Sequence, residues 1–189
     1  MHIYASRYRK VNFFNQKSRS FISWICPLLK PGYYAESQYI YSEGEEATMM
    51  YFMLNGSASY VLPSYCNVNY IDIEIGDHFG IMDIIGSAII HGININQWFD
   101  HKNLLYRQFT IMALNNVEML NLSFNDLLRI QKEFSDYYKG LFHNSFEDLR
   151  RAWIIRLRAM KECREQYIQQ DCEQLEENLE PLDDVNKVY

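Results

Sequence analysis

Ile75-Gly76-Asp77-His78-Phe79-Gly80, answered much further on by Tyr106-Arg107-Gln108-Phe109-Thr110, is the pair of stretches around which the chain is organised. A strand that ends in Gly-Asp and continues as Phe-Gly turns the backbone tightly. The turn delivers it into a short helical piece, Ile81 to Ile85, whose first N–H groups have no partner within the helix. Such an N-terminus attracts anions. Arg107 is the strong cation placed to meet an anion there, because it opens the next apolar strand. A glycine-lined turn, orphan N–H groups and a guanidinium fork are a chemically sensible way to hold a phosphate. Taken alone, the same fragment also reads as a tight turn beside a surface arginine.

Outward from this centre the pattern is β. Met49 to Leu54, Ala58 to Leu62, Asn69 to Ile75, Arg107 to Leu114 and Glu118 to Leu122 are short apolar or alternating runs between turn residues. Such spacing predicts a rolled sheet or small barrel. Asn55-Gly56, between two of the runs, predicts a hairpin, since both residue types tolerate positive φ. Residues 5–30 read as one helix, with Phe13, Phe14, Phe21, Ile22, Ile25 and Leu28/Leu29 returning at three- and four-residue steps until Pro31-Gly32 stops it. That helix would cover the barrel or dock on another subunit or an upstream linker.

After the β region, Ser123-Phe124-Asn125-Asp126 opens a helix with a serine cap, running to about Phe134. Ser145-Phe146-Glu147-Asp148 repeats that signal. The helix it introduces places Phe146, Leu149, Trp153, Leu157 and Met160 on one face, and six basic residues fall between Arg150 and Arg164. Arg156 falls where a coiled-coil seam would want an apolar residue. Beyond Gln166 the sequence turns polar and acidic, Pro181 ends the helix, and the last residues are expected to be loosely held.

Composition narrows the class. The 189 residues are 48% hydrophobic and 15% aromatic, ample for a packed core. Net charge is −6, which gives no reason to expect nucleic acid. Charge is uneven: residues 1–30 carry six Lys/Arg and no acid, residues 171–184 seven acids and no Lys/Arg. These ends read as solvated arms that can pair with each other or with a neighbouring chain. Cys26, Cys66, Cys163 and Cys172 show no metal or disulfide spacing, so reduced thiols in a cytoplasmic setting are expected. No run approaches the ~20 apolar residues of a membrane span, and no signal peptide is evident. No hydrolase, metalloprotease, P-loop or dinucleotide motif occurs. Glu43, Glu45, Glu46, Asp72, Glu74 and Asp77 read as turn formers and the polar side of a sheet. No enzyme and no metal site are therefore expected; His91 and His101 lack a third ligand at metal spacing.

Taken together, Tyr39-Ile40-Tyr41-Ser42-Glu43-Gly44-Glu45, Met50 to Gly56, Gly76-Asp77-His78-Phe79-Gly80, Arg107 with Thr110, and Leu120-Asn121-Leu122-Ser123 resemble the cyclic nucleotide-binding domain family. These are the cAMP/cGMP modules of gated cation channels, kinase regulatory subunits and bacterial catabolite-activator regulators. The likeness runs from about Phe21 to Arg164, and Leu29-Lys30-Pro31-Gly32-Tyr33-Tyr34 looks most like the channel branch, whose pore would lie outside these residues. It implies an α+β fold: an eight-stranded β-roll, jelly-roll-like, flanked by an N-terminal helix and C-terminal helices. The corresponding segments are 1–32, the roll 33–122 with an insert at 86–106, helices 123–170 and an acidic tail 171–189.

The resemblance also implies a ligand pocket at Phe79, Gly80, Ile81, Met82, Asp83, Arg107, Gln108 and Thr110, with Trp153, Leu157 and Met160 on a lid helix. Phe79, Gly80, Ile84, Ile85, Arg107 and Thr110 fit the family's cassette. Ile81 stands where the family's ribose-binding glutamate would be; leaving a buried hydroxyl unpaired costs about 1–3 kcal/mol. Asp83 stands near the phosphate place, where a carboxylate repels phosphate and can pair with Arg107. Between Ile85 and Arg107 lie 21 residues, long for the family, in which Trp98-Phe99 reads as an anchor folded onto the barrel or a partner. No cofactor is expected, and the possible ligand is cAMP or cGMP. Two functions follow: a cytoplasmic regulatory or interaction module with weak or lost cyclic nucleotide binding, working with protein partners or subunits of a larger assembly, or a ligand-responsive sensor of a channel or kinase. A DNA-binding regulator is disfavoured by the acidic tail and the lack of a following helix-turn-helix.

Overall fold

A computed structural model describes residues 8–92 and 105–178, with side chains described to residue 170. After a 3-10 turn at Asn12–Phe14 come α1 (Arg19–Ile25), β1 (Lys30–Tyr34), β2 (Tyr39–Tyr41), β3 (Met49–Asn55), β4 (Ala58–Leu62), β5 (Val68–Ile73) and β6 (His78–Phe79). Then follow α2 (Ile81–Ile90), β7 (Thr110–Ala113), β8 (Val117–Ser123), α3 (Phe124–Glu133) and α4 (Ser135–Asn178). The class is α+β. Two antiparallel four-stranded sheets, ordered β1-β8-β3-β6 and β2-β7-β4-β5, share one apolar core in a β-roll-like arrangement. All five residues of β4 are buried, so this strand is covered on both faces.

Asn55-Gly56 makes no hairpin. β3 and β4 lie in different sheets, so the dipeptide is a corner between them. The two-residue hairpin turn needs positive φ at both positions, and here Gly56 alone adopts it, at +85°. A Cβ at Gly56 would stand 2.5 Å from the Asn116 carbonyl oxygen. β4 instead pairs with β5, across a connection that holds Cys66 and Asn67 at φ 53° and 59°.

Residues 5–30 are not one helix over the described part. The Asn12 N–H donates to the Gly76 carbonyl at 2.9 Å, and Gln16 turns to φ 63°. Only then does Ser18, accepting from the Phe21 N–H at 3.2 Å, cap the seven residues of α1. Tertiary contact overrides the helical period. Phe13 and Phe14 lie 5.4 and 5.0 Å from the Phe52 ring, while Phe21 packs on Phe134 and Tyr137 at 5.1 and 4.8 Å. The segment thus ties the sheets to the C-terminal helices.

Ser123 caps α3 as expected, accepting from the Asp126 N–H at 3.1 Å. Ser145 opens nothing; it is buried in the interior of α4, which runs unbroken from Ser135. The second capping signal fails because the preceding turn, Tyr138, Leu141 and Phe142, is already buried against the core as helix. Trp98, Phe99, His101, Pro181 and most of the insert and tail fall outside the described residues. Among the described residues, no helix is long and apolar enough to cross a membrane.

Candidate functional site

Gly80 is the hinge of the site. Its φ of +90° caps α2, a conformation that L side chains avoid. A Cβ there would sit 3.0 Å from both Arg107 Nη1 and the Met49 carbonyl oxygen. The helix it starts is longer than the sequence suggests, ending at Ile90 rather than Ile85, because Ser87 and Ala88 also reach the core. The chain returns at Leu105. The Arg107 N–H donates to the Glu45 carbonyl at 2.7 Å, and the Gly44 N–H donates to the Arg107 carbonyl at 2.9 Å. These bonds hold the arginine in extended backbone just before β7.

The Arg107 side chain is buried, 2% exposed. Nη1 donates to the Gly80 carbonyl at 3.0 Å and Nη2 to the Met49 carbonyl at 2.7 Å. The guanidinium lies 4.0 Å from the centre of the Tyr41 ring and 5.5 Å from that of Tyr51. Nη1 is also 3.6 Å from Asp83 Oδ2. Asp83 is fully buried in the first turn of α2, where the helix dipole favours a negative charge. Its Oδ2 accepts from the Tyr41 hydroxyl at 2.7 Å. Its Oδ1 accepts from the Gln108 and Phe109 N–H groups at 2.7 and 3.1 Å.

The electrostatics follow from that shell. Burial pushes the Asp83 carboxyl up from its ordinary value, and Arg107, Tyr41 and the two N–H groups pull it back. Burial, and then the Asp83 charge, push the Tyr41 hydroxyl well up, keeping it a donor. Burial raises the Tyr51 hydroxyl to about 12. Chemically the arrangement is an anion site whose anion is a side chain.

Of the other residues singled out in the sequence, Phe79 is buried, stacked on Tyr51 at 5.1 Å. Ile81 is buried at the start of α2, so an apolar side chain occupies the acidic position of the resembled cassette. Phe79, Ile81 and Met82 line a cavity of about 330 Å³ with Asp77, His78 and Asp148; Arg107 and Asp83 are not among its walls. Thr110 Oγ1 accepts from the Glu43 N–H at 3.0 Å, which ties the turn after β2 to β7.

The long helix lies against this site by a face that keeps Leu149, Trp153 and Met160 of the expected one and replaces Leu157 with Arg156. Trp153 packs its ring 5.4 Å from Phe109, and Met160 lines a groove with Thr110, Glu43 and Arg156. Leu157 does not take part; it is 59% exposed. Its place is taken by Arg156, which donates from Nη1 to the Gln108 carbonyl at 2.8 Å and from Nη2 to Glu43 Oε2 at 2.5 Å. The packed face therefore runs Leu149, Ala152, Trp153, Arg156, Met160, Cys163. Sequence reading missed Tyr41, Tyr51, Glu43 and Arg156 as parts of the site. Arg156 had left a signal, since it interrupted the apolar period where the helix meets the loop. Among the described residues no group of acidic, histidine or cysteine side chains is arranged to hold a metal.

No family model matches the chain, and no curated protein matches it. Solved structures do. One is a candidate cyclic nucleotide-binding protein from Geobacter metallireducens, with a TM-score of 0.55 and 15% identity over 74% of this chain and 90% of that one. The chain has a fold of the cyclic nucleotide-binding kind. At that identity the likeness speaks for the fold, and what the site does rests on its own geometry.

Proposed function

We propose that this chain is a non-enzymatic module of the cyclic nucleotide-binding type whose anion place is filled by its own Asp83, so that cAMP and cGMP bind weakly or not at all. Its eight strands form a single roll around that place. It acts as a cytoplasmic regulatory or interaction module within a larger assembly, through protein partners rather than nucleic acid. The observation that carries this reading is the shell of the Asp83 carboxylate: Arg107 at 3.6 Å, the Tyr41 hydroxyl at 2.7 Å and two backbone N–H groups at 2.7 and 3.1 Å. A phosphate would need the same donors, and like charge bars both anions from one site. Ile81 removes the acid that would hold a ribose. The resembled modules close their last helix over a bound nucleotide; here Trp153 and Arg156 rest on Phe109 and Gln108, whose N–H groups hold Asp83.

The alternative, a working cAMP or cGMP sensor of a channel or kinase, is favoured by the retained Gly80, Arg107 and Thr110. Thermal shift separates the two, because binding to the folded state stabilises by RT ln(1+[L]/Kd). The wild type is expected to show no shift with millimolar cAMP or cGMP, and Ile81→Glu with Asp83→Ala to gain one. A wild-type shift of several degrees overturns the filled-site reading.

A further inference from the structure

The cavity of about 330 Å³ that opens between β5, the start of α2 and α4 has a chemistry of its own, since Arg107 and Asp83 are not among its walls. Its inner lining is apolar: Ile73, Phe79, Ile81 and Ala152 are all buried there. One polar group stands among them. Tyr60 lines the cavity and is only 2% exposed, and among the described residues no hydrogen bond reaches its hydroxyl. Burial first, then Asp83, Tyr70 and Asp148, push that hydroxyl well up from its ordinary value, with Arg107 opposing. It therefore stays protonated. A buried hydroxyl without a partner is costly, and a ligand carrying a polar atom would relieve it.

The charged walls say what kind of ligand fits. Asp72, Asp77 and Asp148 line the cavity against Arg151, and His78 beside them is held towards its neutral form by burial. Arg151 meets Asp148 only at 3.9 Å, with the two side chains 74% and 52% exposed, and such a pair is loosely held. The cavity thus keeps a net negative charge, which repels phosphates and carboxylates and draws cations. A metal ion does not fit, because among the described residues no group of acidic, histidine or cysteine side chains is arranged to hold one. The volume is at the small end for ligand cavities, which suits one ring system and a short chain. We infer that this cavity binds a small aromatic amine, its ring among Ile71, Ile73, Ile81 and Phe79 and its ammonium at Asp77 and Asp148. The inference goes beyond the filled-site reading, which rests on the shell of Asp83.

The test is a chemical-shift titration of the amide resonances of the full chain with phenethylamine, tyramine and tryptamine. 2-Phenylethanol and 3-phenylpropionate serve as neutral and anionic counterparts. At least one amine is expected to bind at millimolar concentration or below, about tenfold or more tighter than 2-phenylethanol, with shifts at Ile71, Ile73, His78 and Met82. 3-Phenylpropionate is expected to leave those resonances unmoved. Asp77→Asn/Asp148→Asn removes the charge but keeps an acceptor for the Glu74 N–H, which Asp77 Oδ2 serves at 3.0 Å. It should abolish the preference for the amine over the alcohol with an unchanged circular dichroism spectrum, and Asp148→Asn alone, at an exposed position, should lose part of it. No amine binding at millimolar concentration, equal affinity for phenethylamine and 2-phenylethanol, or shifts confined to residues away from the cavity overturns the inference. So does a double variant that binds the amine as tightly as the wild type. Cyclic nucleotides are tested separately, so either reading can fail while the other stands.

Discussion

Replacing Asp83 by alanine tests the central contact most directly. The substitution leaves the Arg107 guanidinium buried with two carbonyl oxygens and no counter-charge. The Tyr41 hydroxyl and the N–H groups of Gln108 and Phe109 lose their acceptor as well. Breaking a buried pair by removing one partner costs about 3–5 kcal/mol. For a chain of this size that lowers Tm by about 6–20 °C. The vacated space is small, lined by donors and beside a cation, so formate or acetate should enter it and recover part of the loss in proportion to concentration. Replacing both partners, as Asp83→Leu with Arg107→Met, removes charge and counter-charge together and should cost far less than the sum of the single changes. Urea denaturation followed by tryptophan fluorescence measures all of these. If Asp83→Ala lies within about 0.5 kcal/mol of wild type, or if sodium formate stabilises it no more than sodium chloride at equal ionic strength, Asp83 is not the anion of this site.

Three further outcomes follow from the same structure. Burial lowers the pKa of His78, with Asp148 and Asp77 pulling it up and Lys17 pushing it down. The fold therefore prefers neutral imidazole, and its contribution is complete above the unfolded value of about 6.5 and lost as pH falls through the lower folded one. His78→Phe should flatten the stability profile as pH falls below the unfolded value of about 6.5; an unchanged slope refutes the assignment. Gly80→Ala should lose at least about 1–2 kcal/mol from the left-handed backbone alone, plus the wedging of Arg107 off the Met49 carbonyl. Gly44→Ala, at φ +87° with nothing within 4 Å, carries the backbone term only, so equal losses in urea melts would sink the wedge. Arg156→Ala should raise amide exchange in α4 from Trp153 to Met160 while the strands stay protected; unchanged exchange means the helix is held by packing alone.

Most strands of the two sheets were legible because their signals are local. β3, β4, β5 and β8 fall within two residues of their expected bounds, and the Ser123 cap is where Ser-x-x-Asp puts it. The failures came where a distant contact decides. Asn55-Gly56 has hairpin chemistry, yet the strands on either side belong to different sheets, and nothing within the dipeptide records that. The N-terminal helix is broken by a bond to Gly76, which lies 64 residues from Asn12. Leu157 and Arg156 exchange roles because the helix meets a loop with a free carbonyl and a glutamate, which reward a guanidinium more than an isobutyl group. In the site, Gly80 and Arg107 could be paired from sequence because their chemistry is complementary. Tyr41 could not, since a tyrosine in an apolar strand looks the same whether its hydroxyl meets water or a carboxylate.

Gln108 joins the shell of Asp83 to the last helix. Its N–H donates to Asp83 and its carbonyl accepts from Arg156, so a run of polar contacts leads from Tyr41 through Asp83, Gln108 and Arg156 to Glu43. Each link satisfies a group that would otherwise be buried or half-buried without a partner. An exchangeable anion in place of Asp83 would make the position of Gln108, and with it the seat of α4, depend on concentration. A carboxylate fixed to the first turn of α2 removes that dependence, since its effective concentration does not vary. On the proposed reading, the charge that a nucleotide would bring is supplied by Asp83, and Gln108 and Arg156 seat the helix through it.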